Sequence, residues 1–387
     1  MIKASNRIDN LKEYYFSIKL KEIEQLNSTG PQVINIGIGN PDLPPSVDTI
    51  KSLTENTIKD ENHGYQKYNG TDELRKAFSL WYKKYFNVKI DPDSEVLPLM
   101  GSKEGILHIS MAFLNPGDKV LVPDPGYPAY SSVTKMIGAE IVKYDLKEKN
   151  FWYPDLDELN NSDLSGVKLM WINYPNMPTG APASKEVYEK LIEFGKQNNI
   201  LICNDNPYSF ILNNNPISIL SVQGSKDIAL ELNSLSKSHN MAGWRIGVVM
   251  GNKNFIKNII TIKSNIDSGM FLPVQLAGAE ALTSSEEWFK ELNILYLQRR
   301  KIVWEILDSL KATYNKKQNG MFIWAKIPEN YNNAVNLSDY ILNKARVFLT
   351  PGSVFGENGE KYIRISLCTN ETKLIEAKNR ILKHMIN

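Results

Sequence analysis

Ser234-Leu235-Ser236-Lys237-Ser238-His239-Asn240-Met241-Ala242-Gly243-Trp244-Arg245-Ile246-Gly247 is the stretch on which the reading of this chain turns. One apolar run, Ile228 to Leu232, ends just before it, and a second, Arg245 to Met250, begins inside it. Lys237 therefore falls between two expected strands, where an ammonium is costly unless it is paired or deprotonated. Service as a Schiff-base amine removes the difficulty, since a desolvated lysine gives up its proton more readily and becomes a nucleophile. Ser234, Ser236 and Arg245 add hydroxyls and a guanidinium fork, a set suited to a phosphate. Taken alone, a lysine between strands is more often a solvated loop residue, so the neighbouring segments have to decide.

Upstream, Ile200-Leu201-Ile202-Cys203 reads as a buried strand running into Asn204-Asp205-Asn206-Pro207-Tyr208. It delivers an acid and a phenol to a strand's C-terminal end, where open α/β sheets bind their ligands. An aspartate there can keep a pyridine nitrogen protonated and so let the ring accept electrons, although an isolated loop acid more often makes a turn. A further strand ending near Met100 runs into Gly101-Ser102-Lys103-Glu104-Gly105 and a helix carrying Ile106, Met111 and Leu114. Main-chain N–H groups and a hydroxyl at a helix start form an anion site. The spacing is not that of a Walker loop, and Gly37-Ile38-Gly39 does not continue as a dinucleotide fingerprint.

Working outward, short apolar runs alternate with helical patterns from about Glu95 to Met250. The runs are Glu95 to Met100, Lys119 to Pro123, Glu140 to Leu146, Lys168 to Asn173, Ile200 to Asn204, Ile228 to Leu232 and Arg245 to Met250. Between them, Ser184 to Asn198 places Val187, Leu191 and Phe194 at helical spacing. This predicts an α/β fold with a mainly parallel sheet covered by helices on both faces. Thr71 is the expected N-cap of a helix with Asp72 and Glu73 in its first turn and a stripe of Leu74, Phe78, Trp81, Tyr82 and Tyr85. After Pro273 come a long helical stretch, Glu286 to Leu310, then Gly320 to Trp324, a helix near Leu337 to Ala345, a strand at Tyr362 to Leu367 and a closing helix. That is a second, smaller α/β unit, and the cleft between such units is a usual ligand site.

Composition narrows the function classes. The 387 residues carry 45 Lys plus Arg against 43 Asp plus Glu, a formal charge of +2, which argues against a broad nucleic-acid surface. With 42% apolar and 23% charged residues the chain is that of an ordinary globular protein, with room for roughly two to three domains at about 150 residues each. No stretch approaches the ~20 apolar residues of a membrane span, and Met1 to Arg7 lacks the apolar core of a secretion signal, so a cytoplasmic protein is expected. Cys203 and Cys368 cannot form a disulfide framework and are expected to be small buried apolar residues. His63, His108, His239 and His384 are scattered without metal-site spacing, so no metal is expected.

Together and in this order, these segments resemble the class I/II aminotransferases, pyridoxal-phosphate enzymes of fold type I. The resemblance runs through Gly37 to Asp42, Tyr65 with Gly70 to Arg75, Gly101-Ser102-Lys103, Pro125-Gly126-Tyr127-Pro128, Asn176 to Gly180, Asp205 to Tyr208, Ser234 to Gly247 and Tyr362 to Ser366. It implies a large cofactor-binding domain over 46–279 and a small domain built from both chain ends, 1–45 with an N-terminal arm and 280–387. It further implies that Lys237 joins pyridoxal phosphate as a Schiff base and moves the proton, that Asp205 pairs with the pyridine nitrogen, and that Tyr208 hydrogen-bonds the ring oxygen. Gly101, Ser102, Lys103, Ser234, Ser236 and Arg245 match phosphate-holding positions, and Tyr127 the aromatic that stacks on the ring. Tyr65 matches the tyrosine that reaches the neighbouring subunit's cofactor, which implies a homodimer with shared sites. Arg364 matches the substrate-carboxylate arginine, for which a bidentate guanidinium is well suited; Gly39 adds a backbone N–H, and Tyr14 and Phe16 in the arm are placed to line the pocket or simply to pack. One position departs from the pattern: the asparagine usual before Pro178-Thr179-Gly180 is Met177, leaving Asn173 or Asn176 to replace its donation to the ring oxygen.

The expected activity is amino transfer from an amino acid to a 2-oxo acid in two half-reactions. The alternative on the same fold is a β-lyase or decarboxylase. A ligand-sensing regulator is disfavoured, since the pattern already begins by about residue 34 and the charge is near neutral. No motif names the amino donor, and Ser268-Gly269-Met270-Phe271-Leu272 offers no cation for a second carboxylate, which weighs against aspartate.

Overall fold

The structure is a computed structural model that describes residues 2–9, 11 and 13–385. Its strands are, in chain order, β1 Ile34–Asn35, β2 Val96–Leu99, β3 Lys119–Asp124, β4 Glu140–Asp145, β5 Val167–Ile172, β6 Leu201–Asp205, β7 Ala229–Ser234, β8 Gly247–Gly251, β9 Thr313–Tyr314, β10 Phe322–Lys326, β11 Val347–Phe348, β12 Thr350–Pro351 and β13 Tyr362–Ser366. The seven apolar runs read from the sequence become β2 to β8, which form one sheet in the order β2-β8-β7-β6-β5-β3-β4. Every neighbouring pair is parallel except those of β8, which lies antiparallel to both β2 and β7.

The runs are apolar throughout because the sheet is buried on both faces. Val120, Val122, Leu230 and Leu232 point into one layer with Ile106 and Ile109 of the helix Ser102–Phe113 and Ile259 of the helix Lys253–Lys263. Leu121, Met170 and Ile202 point the other way, against Phe78 and Trp81 of the helix Asp72–Phe86 and Leu191 of the helix Lys185–Asn198. Both of these last helices start on hydroxyl caps: Leu74 N–H donates to Thr71 Oγ1 at 3.3 Å and Val187 N–H to Ser184 Oγ at 3.1 Å.

The smaller unit is a four-stranded antiparallel sheet in the order β12-β13-β10-β9, packed with the helices Glu286–Ser309 and Ala334–Ala345. The N-terminal segment joins it, since β1 pairs in parallel with β11 and Ser366 N–H donates to Ile36 O at 2.7 Å. Arg299 clamps the same segment, holding Asp42 with two bonds of 2.6 and 3.0 Å and Glu371 at 3.0 Å. Parallel strands β2, β3, β5, β6 and β7 all end at the same edge of the large sheet, so Ser102, Tyr127, Asn173, Asp205 and Ser234 are delivered to one place.

Two local details differ from the reading of the sequence. Lys237 lies in a short helix, Leu235–Ser238, whose first turn is capped by Ser234, and Phe16 lies inside the helix Tyr15–Thr29, which Tyr14 precedes. Cys203 and Cys368 are free and buried. Among the described residues no helix is long and apolar enough to cross a membrane.

Candidate active site

A cavity of about 310 Å³ opens at that edge of the large sheet, closed on its far side by the smaller unit. Lys237, Asp205, Tyr208, Tyr127 and Arg364 all line it, as do Ser102, Lys103, Ser234, Ser236 and Arg245. Gly39 and Tyr14 complete the set.

Lys237 Nζ donates to Gly39 O at 2.6 Å. Burial holds its proton affinity below the usual lysine range, a nearby Cys368 thiol opposing and the Arg364 and Arg245 guanidiniums reinforcing the shift. Asp205, at the end of β6, is 6% exposed. Its Oδ2 accepts from the Tyr130 hydroxyl at 3.1 Å, while Oδ1 is buried with no partner. Burial pushes this carboxyl up to about 7, the Tyr130 bond working against the shift and the Glu231 carboxylate adding to it. An unsatisfied buried acceptor of raised basicity fits the N–H of a protonated pyridine.

The phosphate set converges in the same way. Ser234 Oγ donates to Ser236 Oγ at 2.8 Å, and Arg245 Nη1 donates to Ala242 O at 2.9 Å with Ser236 Oγ at 3.5 Å. Gly101 has φ +89°, and a Cβ there would lie 2.1 Å from Arg245 Nη2, so only glycine lets the guanidinium close on the helix start at Ser102. Two hydroxyls, a guanidinium and a helix N-terminus form a cradle for a phosphate.

Arg364 occupies the opposite wall and is 4% exposed. Nη2 donates to Gly37 O at 2.8 Å, Nη1 faces Met177 Sδ at 3.3 Å, and Nε is buried without a partner. The guanidinium lies 3.9 Å from the ring centre of Phe322 and 4.6 Å from that of Phe355. Burial pulls its pKa down to about 10, with the Tyr208 hydroxyl partly opposing. A buried guanidinium held by neutral groups and aromatic faces is ready for an incoming carboxylate. Phe322 also explains Gly39, since a Cβ there would come within 2.1 Å of its ring.

The structure keeps other expected residues off the cavity wall. Asn176 is turned into its own loop, donating to Asn173 O at 3.1 Å and accepting from the Thr179 hydroxyl at 2.7 Å. Asn173 reaches the wall, yet its side chain donates to Asp205 O and accepts from Met177 N–H at 2.7 Å. Both amides are thus engaged, and neither stands free to take the place of the donor missing at Met177. Tyr65 is 93% exposed, beside Gly269 and Phe271 rather than in the cavity. Reading the sequence missed Tyr130, Phe322 and Phe355. Only Tyr130, one helical turn after Tyr127, had a spacing that pointed toward the site.

The family model for aminotransferases of class I and II covers residues 31–381. The chain belongs to the class I and II aminotransferases. Relatives include the LL-diaminopimelate aminotransferase of Aquifex aeolicus, 42% identical over 386 residues, 98% of this chain and 99% of the relative. The substrate-bound structure of BacF from Bacillus subtilis is 34% identical with a TM-score of 0.95, covering 99% and 98% of the two chains. An aspartate aminotransferase mutant of Thermus thermophilus, 23% identical, shares the fold with a TM-score of 0.91 over 99% and 100%. The activity of this aminotransferase is amino-group transfer between an amino acid and a 2-oxo acid, and the relatives give the lyase and decarboxylase alternative no support.

Among the described residues of the aminotransferase, Glu104, His108 and Asp267 bring donor atoms within 4.8 Å of one another, but Lys263 Nζ, 2.7 Å from Asp267, already places a cation there.

Two consequences are measurable. Because folding raises the Asp205 pKa, the cofactor-free protein binds a proton here that the unfolded chain releases, and this contribution to stability is lost as pH rises from about 4 to about 7. The melting temperature of Asp205→Asn relative to wild type should therefore rise across that interval; a constant difference refutes the assignment. If the cavity is loaded with pyridoxal phosphate, Met177→Asn would add a donor near its ring and should move the pH at which its absorbance titrates downward by about one unit; an unchanged titration rejects a role for this position.

Proposed function

We propose that this aminotransferase works with pyridoxal phosphate held by Lys237, in a homodimer that shares its sites. The observation that carries the cofactor reading is Asp205 Oδ1, a buried carboxylate oxygen without a partner, facing the same cavity as a desolvated lysine amine. When bound, pyridoxal phosphate supplies an aldehyde carbon that carries the nitrogen and a ring that accepts the electrons of the substrate's Cα–H bond. Ser102, Lys103, Ser234, Ser236, Arg245 and the main-chain N–H groups after Gly101 would hold its phosphate. Asp205 would keep the ring nitrogen protonated, Tyr208 would donate to the ring oxygen, and Tyr127 would flank the ring.

Arg364 and the Gly39 N–H hold the substrate carboxylate, which orients the Cα–H bond toward Lys237. The Lys237 amine would take the proton from Cα as base and, once protonated, give it back as acid. A lysine of ordinary basicity would be protonated and unable to begin, so the lowered proton affinity is functional. The dimer reading is supported by Tyr65, which stands out from the surface beside exposed Phe271, apolar side chains that association would cover.

For the donor, we propose LL-diaminopimelate, the substrate named in relatives 38–42% identical to this chain. An apolar amino acid is a second reading, favoured by the rings of Phe16 and Phe355 beside Arg364.

Borohydride treatment of the cofactor-loaded protein, followed by peptide mapping, should find the reduced adduct on Lys237; an adduct elsewhere, or none in folded protein, refutes the cofactor assignment. In single-turnover assays with 2-oxoglutarate as acceptor, LL-diaminopimelate should react at least about tenfold more efficiently than phenylalanine or leucine; the reverse order establishes the apolar reading.

A further inference from the structure

The large sheet and the smaller unit meet at a carboxylate that plays no part in the chemistry so far. Asp124 ends β3, three residues before Tyr127, and is 3% exposed. Its Oδ2 accepts from Glu357 N–H and its Oδ1 from Asn358 N–H, each at 3.0 Å, and Lys143 Nζ lies 3.3 Å from Oδ2. The Asn358 side-chain amide donates to Asp124 O at 3.1 Å and to Asp145 Oδ1 at 2.7 Å, so the loop of the smaller unit grips the ends of both β3 and β4. Gly356 makes the grip feasible: with φ +146°, a Cβ on it would fall 2.0 Å from Asp124 Oδ1.

Both sides of this contact lead directly into the cavity. On the large-sheet side, Gly126 N–H donates to Phe355 O at 2.8 Å, and the next residue is Tyr127, against which the cofactor ring is placed. On the other side, Phe355 immediately precedes Gly356, and its ring lies 4.6 Å from the Arg364 guanidinium. Thr350, leading into the same loop, is paired with Arg364 across β12 and β13. A buried carboxylate that receives two consecutive backbone N–H groups is a rigid joint, because each lost bond leaves a buried polar group unsatisfied.

We propose that Asp124 is a positioning residue, which holds the substrate-carboxylate wall of the site, Phe355 and Arg364, in register with the cofactor wall at Tyr127. It touches neither substrate nor cofactor. The proposal rests on the amino-transfer reading above, in which Arg364 binds the substrate carboxylate. Displacement of that wall by even about 1 Å is enough to cost up to roughly a hundredfold in reactivity, and the cost falls only on substrates that use the carboxylate.

Asp124→Asn keeps the shape but turns one acceptor into a donor facing a backbone N–H. In the cofactor-loaded protein the single-turnover efficiency with an α-amino acid should fall by about tenfold or more, while that with the corresponding amine lacking the carboxylate stays unchanged. Hydrogen exchange of the Glu357 and Asn358 amides should quicken. An equal loss for amino acid and amine, or exchange as slow as in wild type, overturns the proposal by reducing Asp124 to general support of the fold. If Asp124→Asn does not fold, Asn358→Ala removes the amide grip on Asp124 and Asp145 and should show the same selective loss, a uniform one again counting against the idea. A wild-type protein that converts no amino acid overturns the amino-transfer reading itself and this proposal with it, whereas a working wild type beside an unselective variant overturns the joint alone.

Discussion

A lysine, an aspartate and an arginine are buried around one cavity, and among the described residues none of the three is paired with an opposite charge. Lys237 rests on the carbonyl of Gly39, Asp205 on the hydroxyl of Tyr130, and Arg364 on the carbonyl of Gly37 and the sulfur of Met177. Taking an ion out of water costs on the order of several kcal/mol even after relaxation. A fold tolerates three such groups together where a ligand completes them. The complement that suits them is an electrophile for the amine, a hydrogen-bond donor for the aspartate and an anion for the arginine. The raised carboxyl, the weakened ammonium and the lowered guanidinium are one electrostatic fact seen from three side chains.

The architecture exists to keep these groups near one another without letting them pair. Asp205 and Lys237 come from the edge of the large sheet, where parallel strands all finish, whereas Arg364 sits on the central part of the smaller sheet, across the cavity. Aromatic rings fill the space between: Phe322 and Phe355 lie against Arg364, Tyr130 stacks on Trp171 behind Asp205, and Tyr127 packs edge-on against Tyr130. Apolar walls exclude water, which strengthens every charge interaction in the cavity. The joint at Asp124 then ties the two walls at their rim, so that the distance between carboxylate pocket and ring pocket is set by backbone hydrogen bonds instead of by loose side chains.

Much of this was legible beforehand. Each of the seven strands of the large sheet was visible as an apolar run because a sheet covered on both faces leaves no polar positions to interrupt it. Thr71 announced its helix through chemistry that acts over three residues. Lys237 stood out because an ammonium between two apolar runs is expensive, Asp205 because it ends a buried strand, and Arg364 through the family resemblance; all three line one cavity. What failed to show was anything that depends on rotation or on a distant neighbour. Asn176 had the right residue type beside the right motif, yet its amide is consumed inside its own turn by Thr179 and Asn173. Phe322 and Phe355 looked like ordinary core residues, and their faces on the guanidinium follow from the pairing of strands far apart in the chain.

The amino-acid sequence by itself determined the order of strands and helices, through local spacing, and the family, through its motifs; by that resemblance it singled out Lys237, Asp205 and Arg364, which the fold gathers around one cavity. Tertiary structure alone decided that Asp205 keeps one oxygen without a partner, that Met177 turns its sulfur to Arg364, and that Asp124 closes on the Gly356 loop more than two hundred residues away. Those outcomes depend on distances between atoms that chain separation does not constrain, and hydrogen bonding changes steeply within a few tenths of an ångström.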